Sequence, residues 1–254
     1  MVNKKEVYMK KGIHIDRSFL SCRKFGFTLA EVLITLSIIG VVAAITMPAL
    51  IQNHKKSVVE TRLAKFYSTM NQVVKRAEVD YGEITTWESY RYIYEKDEEG
   101  NDDLTKPVAN LAFLNKYFLP YMHTAKVENI PNSHSTLIYF SDGSIAYFSP
   151  MSIIFFPEGK DYFKMNKNNE HKKYIGTKCF TFNFCPHCSK DGGGKFHYAK
   201  GVEPYKYDWD GTESMLLNNN SIGCKENVTN ERAYCTALIQ RNGWKIPKNY
   251  PLKF

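Results

Sequence analysis

The chain has 254 residues, a formal net charge of +8 and 43% hydrophobic residues. Such a length accommodates one membrane segment and one globular domain. The basic balance does not indicate nucleic-acid binding, because most of the excess positive charge lies in the first 26 residues and no Arg/Lys stripe follows.

Residues 1–26 are basic and polar, and they end in Gly26. Lys and Arg greatly outnumber Asp and Glu in this segment. Positive residues before a first membrane span hold that side of the membrane protein in the cytoplasm. The sequence therefore predicts a single-pass protein with a cytoplasmic N-terminus and the rest of the chain across the membrane.

Residues 27–51 form an apolar run with no Lys, Arg or Asp. As a helix rising ~1.5 Å per residue, the run is long enough to cross a hydrocarbon core of ~30 Å. It exceeds the apolar region of a secretory signal, which has about 7–15 residues. Its one charge is Glu31. A plain anchor or signal remains the alternative, but a carboxylate inside a membrane segment is costly and usually functional.

The order of Gly26, Phe27 and Glu31 resembles the processing and assembly segment of prepilins, the precursors of type IV pili and type II secretion pseudopili. The resemblance extends over about residues 22–55. It implies that a prepilin peptidase removes residues 1–26 by cutting after Gly26, and that Phe27 is then N-methylated. It also implies that Glu31, in an assembly segment that includes Thr28, registers the incoming subunit against a neighbour's terminal amine.

Residues 27–51 are thus expected to be the transmembrane and assembly helix, and residues 52–82 its amphipathic continuation. Pro48 predicts a kink or helix break, a place where many pilins open in the filament, although an ordinary membrane-helix kink is equally compatible. Gly82 predicts the end of the helix. Beyond Pro48, apolar residues repeat at spacings of four and three, as in one buried stripe: Val59, Leu63, Phe66, Met70, Val73 and Ala77.

Residues 83–254 are expected to form the exported globular domain. Residues 95–107 are acidic and turn-rich, which predicts a solvated loop. The Asp142-Gly143 pair between two apolar runs predicts a hairpin, and no helix-length crossover separates the strands, so the sheet should be antiparallel. The remaining predicted elements are a short helix over 108–121, a strand over 152–156, a half-buried strand over 178–184 and a short helix over about 230–241.

Five cysteines lie outside the leader, all in the last third of the chain, which suits an oxidising compartment. An odd number allows at most two disulfides and leaves one thiol. Cys224 and Cys235 enclose ten residues, so their pairing has a low entropic cost. The resemblance points to the same pair, since pilins often carry a C-terminal disulfide loop; two separate buried thiols are the alternative.

The segment Cys185-Pro-His-Cys188 has the spacing of a redox motif. The residues that follow, S-K-D-G-G-G, do not sustain the helix that such a motif needs. A structural disulfide involving one of these cysteines is therefore preferred over an oxidoreductase. A zinc site would need further ligands such as Cys179, His187 or His197.

Asp208, Asp210 and Glu213 surround a glycine in Y-D-W-D-G-T-E. Hard oxygen ligands at such spacing can hold calcium, and some pseudopilins bind calcium in a C-terminal loop. The motif is short and matches no complete template, so a solvated turn is preferred and no cofactor is expected.

These features predict an α+β, pilin-like fold: a long N-terminal membrane-spanning helix packed on a small antiparallel sheet, with a loop-rich, disulfide-stapled C-terminal region. No catalytic motif is present in the sequence, which favours a structural protein that is a peptidase substrate. The expected role is a pilin or pseudopilin, minor by the size of its domain, in the inner membrane and then in a pilus or pseudopilus. Its expected partners are the prepilin peptidase, other subunits and the assembly platform. The alternative is a non-polymerising, membrane-anchored exported domain with a redox-active or metal-binding C-x-x-C.

Overall fold

The computed structural model describes residues 26–88, 93–108, 110–150, 152–165 and 170–254. The chain divides into two compact units at the peptide bond between Pro48 and Ala49. The predicted fold class is confirmed, because a long N-terminal helix precedes small antiparallel sheets and a disulfide-bonded C-terminal region.

Helix α1 (Leu29–Tyr81) has 53 residues. It ends where predicted: Gly82 adopts φ +78°, and its N–H donates to the Glu78 carbonyl at 3.0 Å. α1 stays helical on both sides of Pro48, so the helix is not interrupted there, while a kink at Pro48 and its opening in a filament stay predictions. Proline removes only its own N–H···O bond and strains the preceding turn, and the long helical segments that flank it preserve the remaining bonds.

The second part of α1, residues 49–81, covers one face of a sheet. All six predicted stripe residues are buried, together with Val74. Phe66 stacks on Phe155 of the sheet at 4.2 Å between ring centroids. Burying a large apolar side chain stabilises a fold by about 1.5–3 kcal/mol, so this stripe is the main attachment of the helix to its domain.

The main sheet has six strands in the order β3–β4–β5–β6–β7–β8, with antiparallel neighbours throughout. The predicted hairpin is confirmed between β4 and β5, where Gly143 adopts φ +79°. The strand predicted over 152–156 is β6. The strands are β3 (Lys126–Asn129), β4 (Thr136–Tyr139), β5 (Ile145–Phe148), β6 (Ile153–Phe156), β7 (Phe180–Asn183) and β8 (Glu203–Pro204).

The acidic segment over 95–107 is not the predicted loop. It forms a two-stranded hairpin of β1 (Ile93–Lys96) and β2 (Asp102–Val108). The Asp97 carboxylate accepts the backbone N–H of Glu99 and of Asn101 at 3.1 and 2.8 Å, which shapes the turn. Backbone pairing and this turn form the hairpin without an alternating apolar pattern, which is why the sequence did not indicate it.

Strand β7 is buried on both faces, whereas its alternation of aromatic and polar residues predicted a half-buried strand. A second core cluster, which includes Ile154, Phe156 and Met165, explains why the far face of the sheet is also covered. Short helices complete the domain: α2 (Leu111–Tyr117), α3 (Gly159–Met165), α4 (Glu213–Asn218) and α5 (Cys235–Arg241).

The segment after α5 returns to α1. Trp244 packs on Tyr67 at 4.9 Å between ring centroids. The Glu60 carboxylate accepts hydrogen bonds from Lys245 Nζ and from the Ile246 backbone N–H, each at 2.8 Å. These contacts join parts of the chain that are separated by 185 and 186 positions.

Candidate functional site

The first part of α1, residues 29–48, carries an exposed apolar surface. Leu36 is 60% exposed, and Phe27, just before the helix, is 86% exposed. Among the described residues, α1 is the helix that is long and apolar enough to cross a membrane, and no residue of its apolar window is buried within the protein. So large an apolar surface requires lipid or protein neighbours to cover it.

Thr28 and Glu31 form a capping box at the start of α1. The Glu31 N–H donates to Thr28 Oγ1 at 3.2 Å, and the Thr28 N–H donates to Glu31 Oε2 at 2.8 Å. The Thr28 hydroxyl donates to the same Oε2 at 2.8 Å. This reciprocal pairing satisfies two donors that a helix start otherwise leaves open. Both bonds to Glu31 use Oε2, so within the described residues Oε1 makes no hydrogen bond and remains available to a cation.

Gly26 has no local structural requirement for glycine. A Cβ atom added there would meet no atom of the described residues within 4 Å, and Gly26 is not among the residues with positive φ. Neither packing nor backbone conformation therefore explains why glycine precedes Phe27. Recognition by an enzyme that reads this position would explain it.

The cysteines form two disulfides. Cys224 is bonded to Cys235 and Cys185 to Cys188, with Cα–Cα distances of 4.6 and 5.3 Å. Among the described residues the unpaired cysteine is Cys179, which is buried, and its Sγ donates to the His171 carbonyl at 3.4 Å. Burial raises the pKa of the Cys179 thiol well above its ordinary value, so this group stays protonated.

The Cys185–Cys188 pair is not followed by the helix that a thioredoxin-type redox motif has. Turns, and not a helix, follow Cys188 up to residue 199. Cys185 therefore does not open a helix whose N-terminus would stabilise its thiolate. The two sulfurs are also unavailable as zinc ligands while bonded to each other, and His197 Nε2 already accepts the Lys206 N–H at 3.0 Å.

Two of the three weak calcium candidates, Asp210 and Glu213, have carboxylates in separate local contacts. The Asp210 carboxylate accepts Thr212 N and Oγ1 at 2.8 and 2.7 Å, an arrangement that precedes α4. Glu213 lies 3.6 Å from Arg241 Nε. Asp208 adopts φ +57°. Across the part of the chain that the structure describes, no group of three His, Cys, Asp or Glu side chains is placed to hold a metal ion.

Comparison with protein-family models finds a match for each of two parts of the chain. Residues 22–47 match the prokaryotic N-terminal methylation motif. Residues 49–254 match a family of unknown function, DUF6613. The chain belongs to the DUF6613 family. No curated protein and no solved structure matches this DUF6613 chain.

The methylation motif shows that this DUF6613 protein is a type IV pilin-like or pseudopilin-like precursor. The motif implies processing by a prepilin peptidase and assembly with other pilins. Together with the exposed apolar helix, it indicates membrane anchoring.

A buried polar network ties α1 to the C-terminal region of the DUF6613 domain. The Glu203 carboxylate accepts hydrogen bonds from the Tyr67 hydroxyl and from Lys206 Nζ, both at 2.9 Å. Asn71 Nδ2 donates to the Val202 carbonyl at 2.8 Å. Because buried polar groups are costly when unpaired, these bonds select one register of α1 against the loop before β8.

His197 lies in the same network and is fully buried. Its Nδ1 has no hydrogen-bond partner among the described residues, while Nε2 accepts the Lys206 N–H. Burial and the nearby Lys206 lower the pKa of His197 to about 4. The imidazole is therefore neutral at neutral pH, and protonation would break the bond at Nε2.

The sequence pattern did not identify this network. Tyr67 and Asn71 lie beside the apolar stripe, at positions where a polar side chain can reach the domain. Their partners lie 131 or more positions later in the chain, so only the fold brings them together.

Proposed function

We propose that this DUF6613 protein is a subunit of a type IV pilus or of a type II secretion pseudopilus, and that its large exported domain suits a minor, specialised subunit. The observation that carries the proposal is Glu31. This residue is the one carboxylate in the exposed apolar run of residues 27–51, and it lies just after the Gly26–Phe27 junction.

The proposed assembly step pairs opposite charges. Cleavage after Gly26 creates an ammonium group at Phe27, which stays cationic after methylation. When the apolar helix is surrounded by lipid or by other helices, Glu31 needs a cationic partner, since an unpaired charge is costly there. The terminal amine of a neighbouring subunit supplies that partner. Glu31 Oε1 receives it, while Thr28 keeps Oε2 in place.

The proposed location follows from the same segment. The basic leader holds the N-terminus in the cytoplasm, and the DUF6613 domain lies in the periplasm or outside the cell. The precursor resides in the inner membrane, where it meets the prepilin peptidase and the assembly platform. We propose a structural role and no enzymatic activity; in support, the candidates Cys185, Cys188, His197 and Asp210 are engaged in local bonds.

Mass spectrometry of the membrane-extracted protein tests the processing step. The expected N-terminus is N-methylated Phe27, and Gly26→Trp is expected to block cleavage. Gly40→Ala is the matched control, because a Cβ at Gly40 also meets nothing within 4 Å and processing should continue. A wild-type chain that retains residues 1–26 in a host with active prepilin peptidase would refute the proposal.

Filament entry tests the assembly step. Glu31→Ala is expected to leave insertion and cleavage intact and to remove the protein from sheared filaments or pseudopili. Ser37→Ala serves as the control, because the Ser37 hydroxyl bonds within its own helix, to the Leu33 carbonyl at 2.8 Å. Filament entry of Glu31→Ala at the wild-type level would rule out the registry role. A wild-type chain that is processed but never enters filaments would favour the non-polymerising anchored domain.

A further inference from the structure

A groove of about 330 Å³ runs along the second part of α1, within the unit of residues 49–254. Its floor is apolar and includes Phe66, Val73 and Phe155. Its rim carries three cations of α1: Arg62, Lys65 and Arg76.

The rim has more positive charge than its own acids offset. Asp142 is the one carboxylate in the lining. Burial alone would raise the pKa of Asp142, but hydrogen bonds from Lys65 at 2.7 Å and from Ser144 lower this pKa to about 2. Arg62 donates to two carbonyl groups, of Asp142 and Pro157, and Arg76 makes no hydrogen bond or ion pair with the described residues. The Glu158 carboxylate lies near enough to Arg62 for this cation to help lower the Glu158 pKa, whereas Arg76 has no carboxylate partner among the described residues. The Arg76 end of the groove therefore favours a carboxylate ligand.

The tip of the β1–β2 hairpin has the opposite character. Of its acidic residues, Asp102 pairs with Lys96 and Asp103 with Lys106. Glu98 and Glu99 are exposed, and their carboxylates make no hydrogen bond or ion pair with the described residues. Leu104, on the following strand, is 72% exposed. The tip therefore presents free carboxylates, which complement the cationic rim of the groove, and one apolar side chain, which complements its apolar floor.

We propose that the β1–β2 hairpin of one copy docks in the α1 groove of a second copy. Glu98 and Glu99 supply the carboxylates for the Arg76 end of the groove, and Leu104 supplies the apolar contact. The inference rests on the proposed function and extends it, because two copies of this chain must then be neighbours in the assembly.

The geometry of such a contact suits a filament. Two different patches meet, so a pair of copies leaves one groove and one hairpin free for further copies, and the contact is head-to-tail. A hairpin tip buries less area than the ~1,200 Å² of a stable isolated interface. The contact is therefore expected to be weak alone and to act among subunits that their membrane helices already concentrate.

Site-specific photo-crosslinking in an assembling host tests the proposal with the full chain. One copy carries a photo-reactive amino acid in place of Gln72, an exposed groove residue, and a first epitope tag. A second copy carries another tag. The expected product contains both tags, and its crosslinked peptide maps to residues 93–106 of the second copy.

Charge-reversal variants then test the electrostatic attraction between the groove and the hairpin. Arg76→Glu in the first copy, or Glu98→Lys with Glu99→Lys in the second, is expected to lower the crosslink yield about tenfold. Combining the reversed groove with the reversed hairpin is expected to recover most of the yield. The matched controls are Lys75→Glu, beside Arg76 but outside the groove lining, and Asp191→Lys with Glu226→Lys on other exposed surfaces. Both controls should retain the wild-type yield.

Crosslinks that map to another segment, or a yield that is insensitive to both reversals, would overturn the docking contact. Such a result would leave the proposed function intact if the wild-type chain still enters filaments through Glu31. Loss of all filament entry by the wild-type chain would instead refute the proposed function.

Discussion

In the first part of α1, apolar side chains such as Leu36 are exposed and are not buried by any part of the chain that the structure describes. In the second part, residues such as Leu63 are completely buried in the domain core. Both parts are α-helix, and the two compact units meet at Pro48–Ala49. Helical conformation therefore says little about what stabilises a segment. The second part is held by tertiary packing, whereas the first requires partners outside the chain.

A core truncation in the second part of α1 should have the largest effect on stability. Phe66→Ala is expected to lower the free energy of unfolding of the domain by about 3–5 kcal/mol, because it removes the ring packed on Phe155 and leaves a cavity. Urea unfolding in detergent micelles, followed by tryptophan fluorescence, measures this loss. Leu36→Ala in the first part is the control, and a comparable loss there would invalidate the comparison.

The stabilisation that each disulfide provides should increase with the size of the loop that it closes. The sequence separations are 11 for Cys224–Cys235 and 3 for Cys185–Cys188. Replacing the first pair by alanine should cost about 3 kcal/mol and the second about 1.5 kcal/mol, on the chain-entropy account. The same urea titration measures both values for the domain. Equal costs would show that local packing, and not loop closure, decides them.

Acid should destabilise the domain through His197. The pKa of His197 is about 4 in the folded state, against roughly 6.5 in an unfolded chain, so the unfolded state binds more protons between these values. Stability is then full above roughly pH 6.5 and falls as the pH drops towards 4, by up to about 3 kcal/mol. His197→Gln, whose side-chain oxygen still accepts the Lys206 N–H, should flatten this slope. His123→Gln, at an exposed position, should preserve it.

The smallest expected effect is local to the start of α1. Thr28→Ala removes the cap of the first turn and should cost about 1 kcal/mol there. Hydrogen exchange of the amides of residues 29–33 in micelles should accelerate, while urea unfolding of the domain stays unchanged. Thr35→Ala is the control, since the Thr35 hydroxyl only bonds the Val32 carbonyl. A change in domain stability would mean that the first part of α1 contributes to it after all.

The sequence predicted the elements whose signals are local. The apolar stripe and Gly82 gave the limits of α1, and Asp142-Gly143 gave the β4–β5 hairpin. The acidic hairpin was missed because backbone pairing forms it without apolar alternation. Strand β8 has two residues and is defined only by its partner strand, so no window of sequence could reveal it.

The residues of the candidate site also fall into two groups, those with a local sequence signal and those that only the fold brings together. Gly26, Phe27 and Glu31 lie within a few residues of one another, so their pattern is readable without the fold. The helix is not interrupted at Pro48 because proline sets a local preference that the flanking helical segments outweigh. The network of Tyr67, Glu203 and His197 depends on contacts across the whole domain, which periodicity does not encode.

The bond between Glu60 and the segment after α5 has a consequence for biogenesis. Its partners, Lys245 and Ile246, are synthesised 185 and 186 residues after Glu60. At a synthesis rate of about 5–20 residues per second, that interval lasts on the order of 10–40 s. Throughout it, the buried stripe of α1 lacks part of its final cover. A nascent chain that stalls before Ile246 therefore leaves part of that stripe uncovered, open to chaperones and to proteases that can remove an incomplete chain.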